Sequence, residues 1–197
     1  MALSDVALPH AVERPIATLG PAGTDSEREA RRHFSQVVLQ PSFPHAMDYA
    51  LANETLALIP AGYVDREGGG MGDTWVDLHF RYEPQLRLAH VWHGKIRPLC
   101  IAVNRERATE AGPHVVALHS ATWRFAREHL PTHATRFVRS KPEAVQLAGE
   151  GTVHACVGSV DVVERFPSLR IVRVFQPTMV WCLYAPADLG ERDAVQS

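Results

Sequence analysis

One ten-residue stretch, Thr18-Leu19-Gly20-Pro21-Ala22-Gly23-Thr24-Asp25-Ser26-Glu27, constrains this chain more than any other. The apolar run Ile16–Leu19 enters a turn made of glycine, proline and glycine, and a polar helix start follows at once. Thr24 and Glu27 have the spacing of a capping box, in which hydroxyl and carboxylate each take a backbone N–H that the helix leaves unbonded. Such a start carries exposed N–H groups and a partial positive charge, so it suits a bound carboxylate or phosphate. An ordinary strand–turn–helix link has the same spelling, and both readings stand at this point.

The rest of the chain repeats the alternation. Strands are expected at Val37–Leu39, Thr55–Ile59, Leu86–Trp92, Leu99–Val103, His114–Leu118, Arg136–Arg139, Val153–Val157, Leu169–Phe175 and Met179–Tyr184. Helices are expected at Asp25–Phe34, His45–Ala52, Ala121–His129, Pro142–Ala148 and Val160–Phe166. Pro142 fits a first helical turn, where the N–H it lacks would be unbonded anyway. Ala61 to Asp73 reads as turn-rich, and Gly68-Gly69-Gly70 makes a mobile loop there the expectation. Alternating elements of this kind argue for α/β sheets with mainly parallel strands. They fall into two clusters, so two lobes with a ligand cleft between them are expected. The boundaries are a leader at 1–14, a first lobe at 15–92 completed by 171–187, a second lobe at 95–170 and a tail at 188–197.

Composition removes several classes. A formal net charge of −2 gives no reason to expect a nucleic-acid partner. The Glu27–Arg32 charge run reads as a solvated helix face rather than a binding patch. No apolar run approaches the ~18 residues of a membrane span. Met1 to Glu13 lacks the basic start and apolar stretch of a signal peptide, so the cytoplasm is the simplest location. The three cysteines, Cys100, Cys156 and Cys182, are far apart in apolar stretches and read as reduced, buried thiols. The eleven histidines form no metal signature. His90 and His93 lie in a strand, where an odd spacing turns them to opposite faces, so no metal is expected there.

Thr18-Leu19-Gly20-Pro21-Ala22-Gly23-Thr24 resembles the LGPxGT opening of the prephenate dehydratase family. Leu58-Ile59-Pro60, Lys95–Ile101, Leu118-His119-Ser120-Ala121, Ser140-Lys141-Pro142-Glu143-Ala144 and Ala155–Ser159 are similar to further family words. The resemblance runs over about residues 15–184. It implies a two-lobed, periplasmic-binding-protein-like (type II) α/β catalytic domain. Two family elements are missing. The E-N-S after the strand proline has become Gly62-Tyr63-Val64, and T-R-F has become Thr178-Met179-Val180. The second change removes a guanidinium, with its five donors and fixed charge. The chain also stops where dehydratases continue into a regulatory ACT domain, so no ACT domain is expected. The prephenate decarboxylases of bacilysin-type natural-product pathways show the same pattern of loss. Pro60-Ala61-Gly62-Tyr63 matches their P-x-x-Y, and Met179-Val180-Trp181 is similar to their last strand.

The resemblance therefore implies a cofactor-free carboxy-lyase of antibiotic or other secondary metabolism. It would take carbon dioxide from prephenate, or a close dicarboxylate, without making the ring aromatic. Such a site needs anion holders and a proton source. The candidate catalytic residues are Tyr63, His119 and Thr178. The candidate substrate contacts are Thr24, Asp25, Ser26, Ser120, Ala121, Ser140, Arg97 and Met179. A homodimer is implied by the family alone. A diverged lyase or isomerase on another small carboxylate, an ordinary dehydratase and a non-catalytic binding module remain alternatives.

Overall fold

The computed structural model describes residues 14–65, 72–107, 114–130 and 134–187. Residues 1–13 of the expected leader 1–14, the Gly68–Gly70 loop and the tail 188–197 lie outside these residues. The chain divides into two compact units. The first draws on 14–62, 75–94 and 179–187. The second draws on the described residues within 63–74 and 95–178.

The first unit is a five-stranded sheet ordered β2-β1-β3-β10-β4. Its strands are β1 (Ile16–Leu19), β2 (Val37–Gln40), β3 (Leu56–Pro60), β4 (Leu86–Lys95) and β10 (Thr178–Pro186). β1 pairs in parallel with β2 and β3, whereas β10 runs antiparallel to β3. The helices are α1 (Asp25–His33), α2 (Phe43–Ala52) and α3 (Trp75–Tyr82). All five residues of β3 are buried, as a strand covered on both faces must be. Full burial of Leu58 and Ile59 is worth roughly 1.5–3 kcal/mol each. Thr18 is the polar exception in this core, and its hydroxyl donates to the Leu58 carbonyl at 2.8 Å.

The second unit repeats this topology with a different sequence. Its sheet is ordered β7-β6-β8-β5-β9. The strands are β5 (Leu99–Asn104), β6 (Val115–His119), β7 (Ala134–Val138), β8 (Ala155–Ser159) and β9 (Leu169–Phe175). β6 is parallel to β7 and β8, and β5 is antiparallel to β8 and β9. Helices α5 (Lys141–Gly149) and α6 (Val160–Val163) cover the face that carries Cys100, Ala102 and Cys156. Helix α4 (Trp123–His129) covers the face of Ile101, Val116 and Leu118.

Several sequence expectations change. The sheets are mixed rather than mainly parallel, because β10 and β5 each insert in reverse beside a three-stranded parallel core. β9 pairs along β5, so residues 171–175 belong to the second sheet, and the return to the first unit begins at Met179. Helix α3 follows the turn-rich stretch, between Asp73 and Leu86, where no element is expected from the sequence. It forms because Leu78 and Tyr82 recur on one face and are buried. The Glu27–Arg32 run is not a solvated face: Glu29 is only 3% exposed, turned inward to receive Trp92 Nε1 at 2.7 Å. Along β4, His93 is exposed and His90 half-buried, as alternation requires. The three cysteines are free and buried.

Candidate functional site

In α/β sheets, ligands gather outside the C-terminal ends of parallel strands. In the first unit that edge follows β1, β2 and β3. After β1, Thr24 caps α1 by accepting from Glu27 N at 3.1 Å. Its own proton goes to the Leu19 carbonyl at 2.9 Å. The Thr24 hydroxyl is thus committed to the turn, which leaves the backbone N–H groups near Asp25 and Ser26 as what this helix start could offer an anion. Glu27 completes the capping box by accepting from Gly23 N, and Arg31 pairs with it at 2.9 Å. The Gly23 hydrogen bond, then the Arg31 side chain, hold the Glu27 carboxyl below its usual range. Gly23 has φ of +89°, a left-handed backbone that only glycine adopts without strain.

The neighbouring parts of this edge come from the β2 and β3 ends. Ser42 caps α2, and its hydroxyl also meets His45 Nδ1 at 2.7 Å. Beyond β3, Ala61 N donates to the Val180 carbonyl at 2.9 Å. A Cβ placed on Gly62 would stand 3.2 Å from both Sδ and Cε of Met179. Met179 is therefore laid over the turn that follows β3.

The second unit's edge follows β6, β7 and β8. His119 ends β6, and its Nδ1 accepts from Ala121 N at 3.2 Å. That bond places the proton of the neutral ring on Nε2. Burial, then the charge of Lys141, lower the His119 pKa, and Asp65 opposes them in part. Ser120 is occupied as well, donating to the Val64 carbonyl at 3.2 Å. Val64 bridges Thr74, and Asp65 N donates to the Asp73 carbonyl at 2.7 Å, so this strap lies against the His119 turn. After the neighbouring strand β7, Ser140 caps α5 by accepting from Glu143 N at 3.3 Å. Arg97 sits at the β8 end, where Asp161 pairs with it at 3.4 Å.

The structure thus brings His119, Ser120, Ala121 and Ser140 to one edge of the second sheet, with Arg97 farther along it beside β8. Thr24, Asp25, Ser26 and Met179 belong to the first unit. Tyr63 opens the strap and is half-buried, and Thr178 is exposed at the start of β10. Asp65 was missed by sequence reading, because only the Val64–Thr74 bridge carries it to His119. Among the described residues, no group of three or more metal-ligating side chains converges. Among those residues too, no helix is long and apolar enough to cross a membrane.

No family model matches the chain, and no curated protein matches it by sequence. Solved structures do match it in shape. A prephenate dehydratase from Arthrobacter aurescens, in complex with L-Phe, aligns over 87% of this chain with TM-score 0.57 and 14% identity. The match covers 60% of the dehydratase chain. An ABC transporter protein from Parabacteroides distasonis aligns over 94% of this chain and 70% of its own, with TM-score 0.56 and 15% identity. The periplasmic VFT2 domain of BvgS from Bordetella pertussis aligns over 91% of this chain and 82% of its own, with TM-score 0.52 and 14% identity. The fold is periplasmic-binding-protein-like, type II. At these identities the likeness establishes the fold alone.

Proposed function

We propose that this chain is a lyase that decarboxylates prephenate, or a close cyclic dicarboxylate, without aromatising the ring. The observation that carries the reading is where the family-like words fall. The LGPAGT turn follows β1, the Pro60-Ala61-Gly62-Tyr63 turn follows β3, Leu118–Ala121 ends β6, and Ser140–Ala144 follows β7. Each of these stands at the C-terminal end of a parallel strand, where such sheets hold ligands.

The chemistry balances without a cofactor. The bond between the ring carbon and its carboxylate breaks, and carbon dioxide leaves. The electron pair moves into the ring diene, a proton is added at a ring carbon, and the hydroxyl stays. A neutral His119 with its proton on Nε2 serves this scheme as a hydrogen-bond donor to a carboxylate oxygen. It is not the acid, because surrendering that proton would leave an imidazolate. The added proton then comes from solvent or from the Tyr63 phenol. In the second unit the helix start that follows Ser140, beside His119, offers N–H groups to a carboxylate; in the first unit the helix start at Asp25 and Ser26 offers the same groups at its own ligand edge. Location in the cytoplasm and assembly as a homodimer belong to the same proposal.

Purified protein incubated with prephenate tests it by chromatography of the products. A new acid that has lost carbon dioxide and kept its hydroxyl is the expected result. Accumulation of phenylpyruvate would replace the reading by an ordinary dehydratase. A second reading, ligand binding without turnover, is favoured by the fold shared with the BvgS and transporter domains. Unchanged prephenate together with saturable binding would establish that reading instead.

A further inference from the structure

We infer that Met179, seated over Gly62, is the specificity-determining residue of the first unit's ligand edge, favouring carboxylates with an apolar ring body over small hydrophilic ones. The inference rests on the carboxylate reading above and names the residue that would recognise the ring of such a substrate. Trp181 pairs with Pro60, and Ala61 N donates to the Val180 carbonyl at 2.9 Å. Stepping out along both strands sets Met179 opposite Gly62. There, a Cβ on residue 62 would lie 3.2 Å from the methionine sulfur and 3.2 Å from its terminal methyl. That is closer than side chains ordinarily approach, so the glycine is what lets the thioether lie flat on the turn.

Strand alternation gives Met179 the same side of the sheet as Trp181. A Cβ on Gly94 would meet both Trp181 Nε1 and Glu29 of α1, so this is the side that α1 covers. Helix α1 starts after β1, at the same edge of the sheet as Met179. Met179 is half-buried, so part of the thioether remains available at the edge where β1 and β3 end. A thioether carries no charge and only a weak acceptor, and it is polarisable, so it favours the edge or face of a ring over a hydrated group. A ligand anchored by its carboxylate at this edge is therefore sorted by what it presents to Met179.

Calorimetric titration of the full chain with two probes tests this. Phenylpyruvate and pyruvate share one α-keto acid head and differ by the ring. The wild-type protein is expected to bind phenylpyruvate at least roughly tenfold more tightly, from one ring's worth of apolar contact. Met179→Gln, similar in length but polar, is expected to lose most of that preference while its affinity for pyruvate stays unchanged. Met179→Leu, which conserves volume and apolarity, is expected to keep it. Matched melting temperatures show that both variants are folded. An unchanged preference in Met179→Gln, equal losses for both probes, or a wild-type protein that binds neither would overturn the inference. Turnover of prephenate is read separately. Ring preference that depends on Met179 without any chemistry rejects the lyase alone. A lyase whose ring preference ignores Met179 rejects this inference alone.

Discussion

His119 ends β6 with one ring nitrogen already engaged by Ala121 N, and its charge state follows from what surrounds the other. Burial and Lys141 favour the neutral ring, while Asp65 favours the charged one. Heteronuclear NMR titration should therefore give His119 a pKa below the usual 6.5. Lys141→Ala should raise it and Asp65→Asn should lower it further. A titration at or above 6.5, or a spectrum showing the proton on Nδ1, would reject this description. The stability linkage has a definite sign. The unfolded chain takes up the proton more readily, so the contribution of neutral His119 is complete above 6.5 and falls as the pH drops below it. The Thr24 cap was legible in the sequence because its donor and acceptor lie within one helical turn. The position of Asp65 was not, because it depends on the Val64–Thr74 pairing across the strap.

At the scale of elements, α1 is tied to the strands beside it through a buried carboxylate. Glu29 receives Trp92 Nε1 from β4 and Arg32 from its own helix, both at 2.7 Å. Gly94 lets β4 pass this cluster: a Cβ there would overlap Glu29 and stand 2.6 Å from Trp181 Nε1. Gly94→Ala should therefore destabilise the protein by about 1–3 kcal/mol through overpacking. Urea denaturation followed by tryptophan fluorescence measures this, and an unchanged midpoint would show that the cluster yields freely. The charge run containing Glu29 looked solvated because its neighbours in sequence are charged. Its partner Trp92 arrives from a strand far along the chain. Helix α3 was hidden for another reason. Its repeat of buried positions is short, and it follows a stretch whose glycines dominate the local reading. By contrast, β9 was located to the residue, since Leu169–Phe175 is bounded by a proline on either side, Pro167 and Pro177.

Across the whole molecule, the cysteines report on both units. Burial raises Cys182 of the first unit to about 11, and Cys100 and Cys156 of the second to about 11 and about 12. All three thiols should resist a thiol-specific reagent in the native protein at pH 8 and react fully in urea. Prompt native labelling of Cys182 but not of the other pair would show that the first unit opens by itself. The sequence determined most strands and helices to within a few residues, the cap at Thr24 and the buried cysteines, because these depend on periodicity and on partners close in the chain. It also determined the α/β class, through the alternation of elements. Only the tertiary structure decided that β10 and β5 enter their sheets in reverse, that β9 joins β5, and that Glu29 turns inward. Only it set Met179 against Gly62. Each of these depends on which distant strand supplies the missing hydrogen bonds or covers the apolar face, and no local pattern names that partner.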